Sequence, residues 1–390
     1  MKIAFYTTTI LEYGGGLEKY LIETAAALAK QPGLTADIIT MDDDFADQMA
    51  NWLSIFYMKK MDKKLNYKED LNNIKRRLGK AQYHKAHSFK ELRTTLQNYD
   101  VIYSKNELLE AFLLKLMVGY RNLPPVIFGG HTPLCYPLSQ SFHAKLHNAL
   151  YSSRLYRYLA DGVDKFHAIN SYEAILYAKL FPKRQVAKIY NPFDINVFKQ
   201  NAKKNIYNVS KQKNTIRILW VGRLTEQKGV QDLANVVRYV NKGMGPSQKR
   251  ISWHIFGDGE LRNIVDDLAT EQSNVTCYGH MDQKYMASVY AQHDMFLSTS
   301  RWEGYPYTLI EPQAFGLQIF AYRIPGVTDI LQAYAGGNLA DNQAVMIDLL
   351  ITQLQRHINT GDVPRYQASS QFEPDGIYQQ LVELLSKGTA

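Results

Sequence analysis

A chain of 390 residues exceeds what a single hydrophobic core organises, so its length predicts two domains of about 150 to 200 residues. Hydrophobic residues at 46% and charged residues at 21% exclude a mainly disordered chain, and two cysteines, Cys135 and Cys277, exclude a disulfide framework or a cysteine-built zinc site. The net charge of +8 is concentrated, because residues 51–95 carry twelve Lys or Arg against four Asp or Glu while the remainder is about neutral.

The first domain is expected over 1–198. Its opening Met1-Lys2-Ile3 resembles a secretory start, but threonines and Glu12 break the apolar run, and no small-residue cleavage pattern follows. Leu108 to Tyr120, the richest apolar stretch, holds Glu110 and Lys115 and is too short to span a bilayer. A cytoplasmic, non-spanning protein is therefore expected. Residues 2–6 read as a buried strand, Gly14-Gly15-Gly16 as a turn, Leu17, Leu21, Ala25 and Leu28 as a helix, and Ala36 to Met41 as a second strand. Together they make a βαβ unit. Asp42-Asp43-Asp44 reads as an acidic loop before it reads as a metal site.

The basic segment follows. Trp52 and Phe56, with neighbouring apolar residues, precede Lys59, Lys60, Lys63 and Lys64, and Arg76 and Arg77 come after. Apolar anchors beside a basic cluster suit an anionic membrane surface or an anionic acceptor, and a solvated basic face is an equal alternative. No recognised reading module accompanies the charge, so nucleic acid is not the expected partner. Strand, helix and strand then recur at Val101-Ile102-Tyr103, Leu108 to Val118 and Pro125 to Phe128. This last strand leads into Gly129-Gly130-His131, where a histidine is either structural or able to hydrogen-bond a sugar or a leaving-group oxygen.

A polar, lysine-rich stretch at 199–215 reads as the linker, and a second domain is expected over 216–372. Ile216 to Val221, Ile251 to Phe256, Met295 to Ser298 and Ile319 to Tyr322 read as strands, with helices over Val230 to Tyr239 and Leu261 to Leu268. The expected fold class is α/β, two Rossmann-like domains facing across a cleft, with residues 373–390 a helix returning to the first domain. After the first of these strands, Arg223 offers a planar fork and Lys228 a point charge, which suits adjacent phosphates. Gly257-Asp258-Gly259 reads as a strand-to-helix turn with Asp258 as cap. Glu303-Gly304-Tyr305-Pro306-Tyr307-Thr308-Leu309-Ile310-Glu311 places two carboxylates around a glycine turn and a helix start, a pattern suited to a ligand with hydroxyls and phosphates. Thr308-x-x-Glu311 is equally a capping box, and both readings are compatible.

In order, these segments resemble the retaining, nucleotide-sugar-dependent glycosyltransferases of family 4, which have the GT-B fold. Gly15-Gly16-Leu17-Glu18, Phe128-Gly129-Gly130-His131-Thr132, Asn191-Pro192-Phe193-Asp194 through Phe198, Gly222-Arg223 with Lys228-Gly229, Gly257-Asp258-Gly259 and Glu303 through Glu311 carry the resemblance across nearly the whole chain. Pro192 stands where the family usually has glycine, and Ile324-Pro325-Gly326-Val327-Thr328-Asp329 has one glycine fewer and Asp for Glu.

The resemblance implies that Arg223 and Lys228 neutralise a donor diphosphate, that Glu311 holds the ribose and Glu303 the transferred hexose, and that His131 lies near the anomeric centre. Backbone around Gly15-Gly16 and across Gly304, Tyr305, Pro306, Tyr307 and Thr308 would complete the donor pocket. It implies no metal and no cofactor beyond the nucleoside diphosphate sugar as substrate, uridine being the family's common base. The expected function is transfer of a hexosyl unit to a cell-surface glycan or lipid-linked saccharide, in the cytoplasm or on the inner face of the plasma membrane. A catalytically inert subunit binding a partner transferase or glycan, and a sugar-nucleotide epimerase of related fold, are the alternatives.

Overall fold

The computed structural model describes residues 1–8, 11–13, 16–42, 70–105, 107–131, 133–136, 142–202 and 215–386. The chain divides into two compact units, Met1–Cys135 with Phe142–Asn191 and Asp375–Ala390, and Tyr136–Ser141 with Pro192–Pro374.

In the first unit the described strands are β1 (Lys2–Tyr6), β2 (Thr35–Met41), β3 (Tyr83–Ala86), β4 (Val101–Lys105), β5 (Val126–Gly130), β6 (Lys165–Ala168) and β7 (Gln185–Lys188). They form one parallel sheet in the order β3-β2-β1-β4-β5-β6-β7. Successive side chains of a strand point to opposite faces, so β1 feeds two apolar layers. Ile3 and Phe5 join one with Leu21 and Ala25 of the helix Gly16–Leu28, and Ala4 and Tyr6 join the other with Leu114, Tyr156 and Phe166. The carboxyl-terminal helix Pro374–Ser386 belongs to the first layer through Ile377, Leu381 and Leu384, and the buried Lys165 ammonium donates to the Leu384 carbonyl at 2.8 Å. Burying sheet faces under helices on both sides removes most of the apolar surface from water.

The second unit repeats the plan with β8 (Ile216–Val221), β9 (Ile251–Phe256), β10 (Val275–Gly279), β11 (Met295–Ser298), β12 (Gln318–Tyr322) and β13 (Gly337–Ala340). Their order is β10-β9-β8-β11-β12-β13, again parallel. The helix Val230–Met244 buries Val230, Leu233, Val237 and Val240 against Ile218, Trp220 and Trp253. Its apolar residues recur at three and four, which sets one stripe against the sheet.

The division falls between Asn191 and Pro192, and the helix Ile195–Gln200 lies in the second unit. Asp194 caps that helix by accepting from the Val197 amide at 2.8 Å, and Phe198 packs on Phe315 and Tyr290, each ring pair 6.2 Å apart. Leu108 to Val118 is helical but changes gauge, from α over Leu108–Phe112 to the wider π form over Leu113–Val118. Among the described residues no helix is long and apolar enough to cross a membrane.

Candidate functional site

In the second unit, β9 lies on one side of β8 and β11 on the other. Chain direction across the sheet therefore reverses at β8, and the loops leaving β8 and β11 diverge at their carboxyl ends, the usual ligand position in an open parallel sheet. Arg223, Lys228 and Glu303 all sit on these two loops. Backbone bonds hold them in register: Arg301 N–H donates to the Gln227 carbonyl at 2.8 Å, and Leu224 N–H donates to the Asp258 carbonyl at 2.9 Å. Thr299 Oγ1 donates to the Lys228 carbonyl at 2.9 Å and accepts from Trp220 Nε1 at 3.0 Å.

Lys228 ends a short turn, Glu226–Lys228, and after Gly229 the helix Val230–Met244 begins. Its ammonium lies 2.5 Å from Glu303 Oε1, with the two side chains 15% and 8% exposed. Arg223 is exposed, and its Nη2 makes a weak bond to Gln227 Oε1 at 3.3 Å. One cation thus pairs with the Glu303 carboxylate at the switch point, and a second, Arg223, sits on the same loop. Gly304 is fixed from the neighbouring loop by Gly326, whose φ of 81° favours glycine and whose absent Cβ would lie 2.5 Å from the Gly304 carbonyl oxygen.

Glu311 is buried against Tyr290, whose hydroxyl is pushed well above its ordinary range by burial and then by the Glu311 charge. The capping box is not formed. Tyr307–Leu309 and Glu311–Phe315 are two 3-10 turns without side-chain caps. A capping residue needs extended backbone, and the residue with it is Pro306, two positions before Thr308. The stretch therefore does not open an α-helix, and the long helix whose first amides lie near this cluster is Val230–Met244. Asp258 is likewise not a helix cap. It accepts from the next amide, Gly259, at 2.9 Å, three residues before the helix Arg262–Glu271 starts behind Leu261. Pro306 is buried, while Tyr305 and Tyr307 pack edge to face at 5.5 Å, with Tyr307 also 5.9 Å from Phe193.

In the first unit, His131 follows β5 and meets a network that pattern reading missed. His167 Nε2 lies 2.7 Å from the Ile189 carbonyl, which can only accept, so that nitrogen carries the proton. Burial drives the His167 pKa down to about 4, so the ring is neutral near pH 7 and its Nδ1 accepts. The Tyr103 hydroxyl donates to that Nδ1 at 2.7 Å and accepts from His131 Nε2 at 2.8 Å. His131 is itself held well below the ordinary histidine range, first by burial and then by His167 and Lys105. The chain of bonds thus fixes His131 with its proton on Nε2 and a lone pair on Nδ1. Gly129 makes this approach feasible, since a Cβ there would lie 2.0 Å from the Tyr103 hydroxyl oxygen. The signals in the sequence were Tyr103 and His167, polar-tipped residues inside strands beside Gly129-Gly130. At the carboxyl ends of β1 and β4, Glu110 accepts from Thr8 N–H at 3.1 Å and Thr8 Oγ1 at 2.7 Å, and Lys105 pairs with Glu107 at 2.6 Å.

Several expected residues fall elsewhere. Gly16 opens the helix Gly16–Leu28, while Gly15, Trp52, Phe56, Lys59, Lys60, Lys63 and Lys64 lie outside the described residues. Arg76 is exposed and donates to Asn73 Oδ1 at 2.7 Å, and Arg77 lies 3.7 Å from Glu23. Asp42 faces His87 at 3.4 Å. Among the described residues no group of three or more His, Cys, Asp or Glu is placed to hold a metal ion.

Residues 201–360 match the family model described as glycosyl transferases group 1. A protein of 41.2 kDa from the cps region of Klebsiella pneumoniae is 28% identical over 130 residues, 33% of this chain and 34% of that protein. The amylovoran biosynthesis glycosyltransferase AmsK of Erwinia amylovora is 27% identical over 187 residues, 44% of this chain and 45% of AmsK. The matches thus span less than half the length of these curated relatives. The crystal structure of HepE from Anabaena in complex with UDP aligns over 100% of both chains with a TM-score of 0.67 at 17% identity, a likeness of fold. Residues 201–360 are thus similar to the glycosyl transferases group 1, and the two parallel α/β units have the GT-B fold.

Proposed function

We propose that this protein is a retaining hexosyltransferase that takes a hexosyl unit from a nucleoside diphosphate sugar, a UDP-sugar, and delivers it to a cell-surface glycan or lipid-linked saccharide. The observation that carries the reading is the Lys228–Glu303 pair, which joins two loops at the switch point of the second sheet, with Arg223 on the same loop as Lys228. HepE binds UDP in its crystal structure, and AmsK is named for polysaccharide biosynthesis, which supports the choice of donor and of acceptor class.

In this reading the donor diphosphate takes Lys228 from Glu303, and Arg223 swings its fork onto the second phosphate. Glu303, released from the ion pair, accepts from a hexose hydroxyl, and Glu311 accepts from the ribose. The first amides of the helix Val230–Met244 add their positive end to the leaving group. Charge on the departing diphosphate is thereby stabilised by groups already in place, the largest single source of rate in many enzymes. The bond from the anomeric carbon to phosphate oxygen breaks, the acceptor oxygen bonds on the same face, and its proton passes to the leaving phosphate. His131, with Nδ1 free to accept, serves near the anomeric centre. This chemistry asks for no metal ion. In this reading the protein works in the cytoplasm or on the inner face of the plasma membrane.

A thermal-shift titration with UDP and UDP-sugars tests the donor. A tight ligand raises the melting temperature by mass action. Lys228→Ala removes one charge-assisted bond of about 1.5–3 kcal/mol, so affinity for UDP should fall about 10- to 100-fold. If no nucleoside diphosphate stabilises the native protein and no nucleotide-sugar is turned over, the reading fails and an inert subunit takes its place. Free sugar-nucleotide product without an acceptor would identify an epimerase.

A further inference from the structure

Exposed large apolar side chains are not spread evenly over this molecule. Among the described residues six of nine lie between Leu116 and Ile175, all on helices of the first unit. Phe142 is 68% exposed, Tyr158 56%, Leu155 52% and Leu116 47%. The inner sides of the same helical segments supply Leu114, Val118, Tyr151, Tyr156 and Leu159 to the core layer beneath. A helix in water ordinarily keeps its outer face polar, and these are apolar on both sides.

The segments are neighbours. Phe142–Ser152 and Arg154–Leu159 are separated by Ser153 alone, and the Lys115 ammonium lies 4.9 Å above the Tyr158 ring, which sets Leu113–Val118 beside them. Exposed charge on Phe142–Ser152 and Arg154–Leu159 is positive, although Glu107 acts on His147 of the first and the exposed Asp161 follows the second. Residues 142–159 contain Lys145, Arg154 and Arg157, all exposed, and no Asp or Glu. On the adjoining helix Ser171–Leu180 the one acid, Glu173, is buried and accepts from the Leu134 amide at 3.1 Å.

We propose that the outward faces of Leu113–Val118, Phe142–Ser152 and Arg154–Leu159 form a docking surface for an anionic lipid bilayer. Leu116, Leu155 and Phe142 enter the interfacial zone, and the lysine and arginine heads stay at the level of the lipid phosphates on stems long enough to reach them. Nucleic acid fits less well, because it offers nothing to the exposed leucines, and an apolar protein groove would leave the unbalanced positive charge unmet. The surface is separate in sequence from the basic cluster at 59–64. That it brings the protein to a lipid-linked acceptor rests on the transferase reading. The bilayer contact does not.

Cosedimentation with vesicles of phosphatidylcholine, with and without phosphatidylglycerol, tests the proposal. The native protein should partition to the anionic vesicles at low salt, less at high salt, and poorly to phosphatidylcholine alone. Leu155→Glu combined with Tyr158→Glu changes two exposed side chains, so melting behaviour and the response to UDP should persist while partitioning falls at least ten-fold. Absence of binding by the native protein overturns the proposal. So does wild-type binding by the double variant, including the case in which replacing Lys59, Lys60, Lys63 and Lys64 by Gln abolishes partitioning instead. Loss of vesicle binding with the UDP response intact supports the surface, and vesicle binding without any UDP response supports it while removing the link to a transferase.

Discussion

The two units share a parallel α/β plan, yet their candidate residues are held by opposite means. The hydrogen bonds of His131, Tyr103 and His167 run between neutral groups in a buried chain that ends on a backbone carbonyl, so the direction of each bond is dictated by which atom can only accept. Around Lys228 the contacts are between charges on loops, with Arg223 in solvent. A neutral network in low dielectric specifies one proton arrangement and is costly to break. A charge cluster at a loop edge instead stays able to exchange partners when an anion arrives. The first device suits a group that must present a lone pair, the second a group that must receive phosphate.

Acid is the broadest way to break this contrast, and it should have the largest effect. Burial lowers His167 and His254 to about 4, and His131 and His293 lie well below the ordinary range for the same first cause. Above pH 6.5 these rings are neutral in the folded and unfolded chain alike. Between 6.5 and 4 the unfolded chain binds protons that the folded one refuses, so stability falls as pH falls, by about 1.4 kcal/mol per pH unit for each such histidine. In the second unit the pair is framework: His293 Nδ1 donates to the Val289 carbonyl at 2.6 Å and Nε2 accepts from His254 Nδ1 at 2.7 Å, with His293 just before the amino end of β11. Melting temperatures measured from pH 7 to 5 should fall steeply, and a flat profile would show that the rings protonate without cost.

Tyr103→Phe is narrower. It deletes a hydroxyl that bridges two rings and leaves His131 Nε2 and His167 Nδ1 facing carbon, a cost of about 2–3 kcal/mol in urea unfolding. Nitrogen-15 chemical shifts of His131 should then report both neutral tautomers where the native protein reports one. An unchanged single tautomer would mean that Tyr103 does not set it.

Strands buried on both faces were legible because they are apolar runs: β1, β2, β4, β5, β8, β9, β11 and β12 all stood out by pattern. The edge strands β3, β7, β10 and β13 did not. Tyr-His-Lys-Ala and Gln-Val-Ala-Lys carry polar side chains because one side of an edge strand faces no neighbour, and this removes the very pattern that marks a strand. β6 was hidden differently, by Lys165 and His167, two polar residues that are buried only because Leu384 and Ile189 lend them carbonyls from far along the chain. The same blindness concealed the partners of His131, since neither Tyr103 nor His167 is near it in sequence. By contrast Arg223, Lys228 and Glu303 were readable as types and loop positions. The ion pair joining the last two depends on a switch point that only sheet order reveals.

Arg223→Ala should have the smallest effect on the ligand-free protein and sharpens the contrast most. Its side chain is exposed and makes one 3.3 Å bond to Gln227, so the change in unfolding free energy should stay within about 0.5 kcal/mol. A residue that supports the fold would have shown more. An arginine that leaves stability untouched, on the loop that leaves a central strand and also carries the half-buried Lys228, keeps its fork available to a ligand, and chemical denaturation of Arg223→Ala tests the first condition. A loss above about 1 kcal/mol would place Arg223 among the structural residues and leave Lys228 as the main cation of the site.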